Sequence, residues 1–174
     1  ILTILLFVTL FTSINFTNFN KVEATTNGHT ADDAINWVNS LITPSNTPVG
    51  SGQCVALIVA YYNYLGHNSP HVDYAKDYVY KDSEQPTGWQ TLQGVQPQKG
   101  DILIYLASAG NSAGHVAIYE SDYVTYHQNY GGMYVRKIGN HYTQMYDLAN
   151  NIMPYWGVIR PEFTNARVAI DSVT

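Results

Sequence analysis

Residues 54–66 read CVALIVAYYNYLG, and the way this stretch folds decides the architecture. It is apolar nearly all round, which suits either a buried helix or a central strand. Thirteen residues exceed an ordinary strand, and Gly66 supplies a stop, so the stretch predicts a buried helix. Just upstream, residues 43–52 (TPSNTPVGSG) form a loop by composition. Before that loop, Ala34, Ile35, Val38, Leu41 and Ile42 share one helical face, predicting a helix over 30–42. Thr30 is placed to cap it with Asp33 three residues on, and Asp32 and Asp33 suit the positive end of its dipole. It must stop before Pro44, because the residue preceding a proline resists helical angles.

Downstream the period changes. Residues 67–99 are polar and irregular, with Asp73, Asp77, Asp82 and Glu84 scattered among tyrosines, and predict solvated loop with a short helix. They lack the alternating acidic spacing of a calcium loop. Pro97 to Asp101 is a turn, and compact apolar or alternating runs follow at 102–106, 115–119, 124–129, 133–137 and 155–160. Helices first and an antiparallel meander afterwards predict an α+β domain with the helices packed on the sheet.

The chain has 174 residues, enough for one ordinary domain with a real core. With 45% hydrophobic and 12% charged residues, wholesale disorder is excluded. Eight basic against thirteen acidic residues give a net charge of −5, so no polycationic surface is offered to nucleic acid. A single cysteine excludes an intrachain disulfide and every multi-cysteine zinc pattern. The fifteen tyrosines suit both sheet surfaces and wet grooves that bind polar polymers.

Ile1 to Phe11 is an apolar run of signal-peptide length, soon interrupted by Thr12, Ser13 and Asn15, too short to span a bilayer. Val22-Glu23-Ala24 predicts cleavage after Ala24, although the initiating Met and basic start of a leader are missing, as for a truncated start. The expected organisation is a signal peptide over 1–24, a catalytic domain over 25–160 and a tail of unknown role over 161–174. The mature protein is then secreted, extracellular or associated with the cell wall, with no stable membrane span, and is expected to act as a monomer.

Secretion makes an odd thiol notable, since secreted proteins pair or avoid cysteine. Cys54 follows a glycine-containing loop at the first turn of a helix, where unpaired N–H groups and the dipole are expected to favour the thiolate. The same N–H groups could cradle an oxyanion. His115, after Gly114 at a strand start, is expected to face an open cleft and serve as base. His127 and Asn129 lie two apart on the next strand and share a face, so either could orient that imidazole. His29, His67, His71 and His141 are read as structural. Trp89, Tyr105, Tyr130 and Trp156 are candidates for the cleft wall, with core and sheet packing as the competing reading of each.

Gly52-Gln53-Cys54-Val55, Pro97-Gln98-Lys99-Gly100-Asp101-Ile102, Gly114-His115-Val116-Ala117-Ile118 and His127-Gln128-Asn129, in this order, resemble the CHAP family. These are cysteine, histidine-dependent amidohydrolases and peptidases of bacterial cell-wall lysis, related to NlpC/P60 peptidases, and the resemblance covers about residues 30–160. It implies a papain-like α+β fold and hydrolysis of an amide in bacterial peptidoglycan without a cofactor, with Cys54 as nucleophile and His115 as base. Gln53 matches the residue before the family nucleophile. Many members carry Glu-Gln-Asn where this chain has His127-Gln128-Asn129, so a neutral group must replace the acidic orienter. The NlpC/P60 arrangement suggests His127, whose neutral ring accepts from the base at modest cost, and the CHAP motif carries over Asn129. No Asp-x-Asp loop precedes Cys54, so no structural metal is expected. A non-catalytic wall-binding or surface-antigen domain on the same scaffold is the alternative, and a thiol-dependent acyltransferase a third possibility.

Overall fold

The computed structural model describes residues 28–164, so the expected signal peptide and the end of the expected tail lie outside the described residues. Helix α1 spans Ala31–Ser40 and opens on a reciprocal cap in which the Asp33 amide donates to the Thr30 hydroxyl and the Thr30 amide donates to the Asp33 carboxylate. It ends two residues earlier than expected, with Leu41 as its C-cap. Helix α2 spans Cys54–Tyr64 and buries Leu57, Ile58, Tyr61 and Tyr62, and Gly66 beyond it takes a positive φ of 83°.

Eight strands follow: β1 Gln90–Gln93, β2 Ile102–Tyr105, β3 His115–Ser121, β4 Val124–His127, β5 Arg136–Ile138, β6 Met145–Tyr146, β7 Ile152–Met153 and β8 Tyr155–Arg160. Six of them form one antiparallel sheet in the order β1-β8-β2-β3-β4-β5, and β6 and β7 make a separate hairpin. The expected meander is therefore β2 to β5, and the last strand inserts beside the first. The fold is α+β with helices packed on the antiparallel sheet, as the sequence predicts.

Three expectations are corrected. Residues 67–99 are mostly exposed or half-buried loop with short 3-10 helices at Ala75–Tyr80 and Asp82–Glu84, as expected, but they also contain the strand β1, and Tyr78 and Trp89 join the core. Their polar composition hid this because the buried residues are tyrosine and tryptophan with polar neighbours, without a clean period. The strand expected at 133–137 begins only at Arg136, since Gly131, Gly132 and the residues after them belong to a loop folded over Gly52. The strand expected to run to Asn129 ends at His127, and Asn129 has a φ of 59°. Of the expected tail, Pro161 is buried and Phe163 packs against the core.

Strand alternation divides the sheet into two chemically different faces. Ile102, Ile104, Val116, Ile118, Tyr126 and Ile159 pack with α1 and α2. Leu103, Tyr105, Ala117, Tyr119 and Val158 point the other way, toward Tyr142, Met145 and Met153 around the β6–β7 hairpin. His115 pairs with Tyr105 and Thr125 with Tyr119, so both stand on this second face. The turn before β2 is held by Asp101, which is 1% exposed and takes a bidentate hydrogen bond from Arg160 on β8.

Candidate active site

Cys54 is the first residue of α2, and no side chain caps that helix: Gln53 is the N-cap by backbone geometry alone. The loop in front of it is tied down instead by the residue that follows β4. Gln128, fully buried, accepts from the Val49 amide through Oε1 at 2.8 Å and donates through Nε2 to the Val49 and Gln53 carbonyls, each at 2.9 Å. Gly52 sits at φ +79°, a conformation that L side chains rarely adopt, and a Cβ there would lie 3.1 Å from the Met133 carbonyl, so glycine suits the close approach of the 131–135 loop to the loop before Cys54. Gly114 does the same for the base: at φ +71°, a Cβ would lie 2.5 Å from the Tyr105 carbonyl.

The thiol of Cys54 meets β3 where His115 begins that strand. Burial pushes the Cys54 thiol up, and the amides of Val116, Val55 and Cys54 pull it partly back by favouring the thiolate. The net direction is opposite to that expected from a helix start. Desolvation outweighs the dipole because Cys54 is packed among Leu57, Tyr78 and Val116, with 9% of its surface exposed. His115 borders a cavity but is itself buried: it is 3% exposed, and burial pulls its pKa down to about 3. Both groups therefore rest neutral, as thiol and imidazole.

Of the two proposed orienters, His127 reaches the base. His115 Nε2 lies 3.2 Å from His127 Nδ1, with the rings stacked at a centroid distance of 5.3 Å. Burial, and secondarily the charge of His115, holds His127 well below the usual histidine range. Its other nitrogen, Nε2, lies 2.6 Å from Thr125 Oγ1. Asn129, past the end of the strand, turns to the other side of the site and donates to Gln53 Oε1 at 2.7 Å. The expected common face fails because alternation holds only within extended backbone. No hydrogen bond joins Cys54 Sγ to His115 among the described residues, and the ring's Nδ1 is left available.

His115 opens on a cavity of about 460 Å³. One wall is Asn129, Tyr130, Gly131 and Gly132, and the other is Asp147, Leu148 and Met153 of the β6–β7 hairpin. The hairpin is anchored through Asp147, whose carboxylate accepts from Ser108 Oγ at 2.6 Å and from the Gly110 amide at 2.8 Å. The Ser108 hydroxyl leads a set of donors that hold this carboxyl below its ordinary range. Of the aromatic candidates, Tyr130 lines the cavity, Tyr105 lies buried beneath His115, and Trp89 and Trp156 pack in or against the helix-side core. His67 meets Trp89 edge-on, His71 pairs with Asp73, and His141 stacks on Tyr142 beside the crevice that Thr125 and His127 line.

Sequence reasoning missed Thr125, Gln128 and the β6–β7 wall. Thr125 had a signal, since it stands two residues before His127 on a predicted strand. The hairpin had little: its strands are two residues each, too short for a period.

Among the described residues, no helix is long and apolar enough to cross a membrane, and no cluster of His, Cys, Asp and Glu could hold a metal ion. The CHAP domain model matches residues 42–130. No curated protein matches the chain. Among solved structures, Ly7917, crystallised with the hydrolyzing product of MDP, is similar at 26% identity and a TM-score of 0.58, over 76% of this chain and 63% of that one. The wild-type endolysin LysIME-EF1 is similar in fold at 21% identity and a TM-score of 0.57, over 79% of this chain and 67% of that one. The chain thus spans less than two thirds of the length of Ly7917.

Proposed function

Because the chain belongs to the CHAP domain family, a family of amidohydrolases, we propose that it is a secreted peptidoglycan hydrolase that cuts an amide through a cysteine acyl-enzyme. The single observation that carries this reading is the buried His115–His127 hydrogen bond at the strand start against which the α2 N-terminus packs Cys54. The Ly7917 complex with the product of MDP supports a peptidoglycan substrate. The apolar run from Ile1 to Phe11 supports secretion to where such a substrate lies.

In this mechanism Cys54 Sγ attacks the scissile carbonyl as its proton passes to His115 Nδ1. The new imidazolium donates from Nε2 to the lone pair of His127 Nδ1. A neutral partner suits a proton that is held only briefly, since neither ring carries charge at rest. The tetrahedral oxyanion is held by the uncapped amides at the start of α2. Gln53, its Oε1 engaged by Asn129, presents its NH₂ as a further donor. Collapse breaks the C–N bond, and His115 returns the proton to the leaving amine, leaving a thioester on Cys54. Water then attacks the thioester with His115 again as base, releasing the carboxylate and the thiol. Cys54 and His115 touch the reacting atoms, His127 positions the base, and Asn129 acts through Gln53. The bond is the N-acetylmuramoyl-L-alanine amide or a peptide bond of the stem or bridge.

The burial of the Cys54 thiol favours the rival reading, a wall-binding module on the same scaffold. The test is the chain and its Cys54→Ala variant on purified Gram-positive sacculi under reducing conditions, with mass spectrometry of every newly exposed amine and carboxylate. New termini from the wild type alone are expected, and they identify the bond. Termini from neither folded protein, across several wall chemotypes, would move the assignment to the binding module. Equal release by both would remove Cys54 as nucleophile.

A further inference from the structure

We propose that Thr125 is a positioning residue of the relay, whose hydroxyl holds His127 with its hydrogen on Nε2, so that Nδ1 keeps a lone pair for His115. The proposal rests on the reading of Cys54 and His115 as nucleophile and base. To take the thiol proton at Nδ1, a neutral His115 must carry its own hydrogen on Nε2. That nitrogen is 3.2 Å from His127 Nδ1, which therefore has to accept. A neutral His127 accepting at Nδ1 carries its hydrogen on Nε2, and this atom lies 2.6 Å from Thr125 Oγ1. The opposite tautomer reverses both bonds. His127 Nδ1–H would donate to His115 Nε2, His115 would be protonated at Nδ1, and the base would be lost.

Thr125, His115 and His127 are 2%, 3% and 3% exposed, so bulk water cannot stand in for a missing partner. Without the hydroxyl, the catalytic tautomer would bury an unpaired N–H, which is the costlier arrangement. The placement follows from the strand: Thr125 and His127 are two apart on β4, on the face shared with His115.

The test uses the full chain labelled with ¹⁵N-histidine, as wild type, Thr125→Val and Thr125→Ser. Long-range ¹⁵N–¹H spectra at neutral pH read the tautomer directly. The wild type is expected to show His127 protonated at Nε2, and the valine variant to gain the Nδ1–H form. On sacculi, Thr125→Val should lower kcat about tenfold to hundredfold with KM unchanged, and Thr125→Ser should recover to within about threefold of wild type. A wild-type His127 protonated at Nδ1 would overturn the proposal, as would a folded valine variant with unaltered tautomer and kcat. If the valine variant does not fold, the wild-type spectrum decides. A wild type that releases no fragments counts against the hydrolase reading, whereas the spectrum still judges Thr125.

Discussion

The α-helices α1 and α2 begin in opposite ways. At α1, Thr30 and Asp33 close a reciprocal cap, so the amides of these two residues have side-chain partners. At α2, no side chain caps the first turn, and the amides of Cys54 and Val55 are left to favour a thiolate. Every helix start exposes the same unpaired donors and the same positive dipole. One start uses them for stability, and in the proposed mechanism the other keeps them for chemistry. The difference teaches that an uncapped helix start is informative when something else holds its loop, and here Gln128, just past the end of β4, does so.

Removing that clamp should break the comparison most severely. Gln128→Ala strips partners from the Val49 amide and the Val49 and Gln53 carbonyls. The expected loss is about 3 kcal/mol of unfolding free energy in urea, together with a fall in turnover per folded molecule. If stability falls and turnover does not, the loop is positioned by other contacts.

His127→Leu sharpens the comparison from the catalytic side, removing the base's partner while filling its space. Here kcat should drop about a hundredfold, or about 2.7 kcal/mol, with KM little changed. The same variant has a pH signature. His115 is held down to about 3 and His127 well below its usual range, so the unfolded chain binds their protons first as pH falls below about 6.5. The native state is therefore stable above that pH and loses stability on acidification, by about 1.4 kcal/mol per pH unit for each buried histidine. Denaturant midpoints measured between pH 7 and 4 should fall less steeply in His127→Leu. Parallel slopes would mean that His127 is not buried neutral.

The smallest effect is expected at the capped helix. Thr30→Ala removes the acceptor for the Asp33 amide and should cost about 1 kcal/mol, seen as a lower thermal midpoint. Turnover on sacculi should be unchanged, since the cap lies away from Cys54. A matching loss of activity would show that the two helix starts are coupled.

Much of the fold was legible because it is encoded locally. The cap at Thr30, the helix from Cys54 and the strand at 155–160 stand where their patterns place them. β1 was not legible, since its four residues alternate weakly and become a strand only by pairing with β8. At the site, the cysteine, the histidine on the strand start and the polar pair after it could all be named. Which of the pair meets the base could not be read, because the strand ends between them.

The sequence by itself determined that a cysteine opens a buried helix, that a histidine opens a strand, and that helices precede an antiparallel meander. Those features depend on periodicity, capping and glycine placement, which act within a turn or two of the chain. Only the tertiary structure decided that the thiol and the imidazole rest neutral, that His127 touches His115, and that Thr125 stands behind it. Ionisation inside a protein is set by desolvation, and burial at Cys54 and His115 is supplied by segments distant in sequence. For the same reason the helix dipole, a local term, predicted the wrong direction for Cys54: packing removed more water than the dipole and the neighbouring amides could offset.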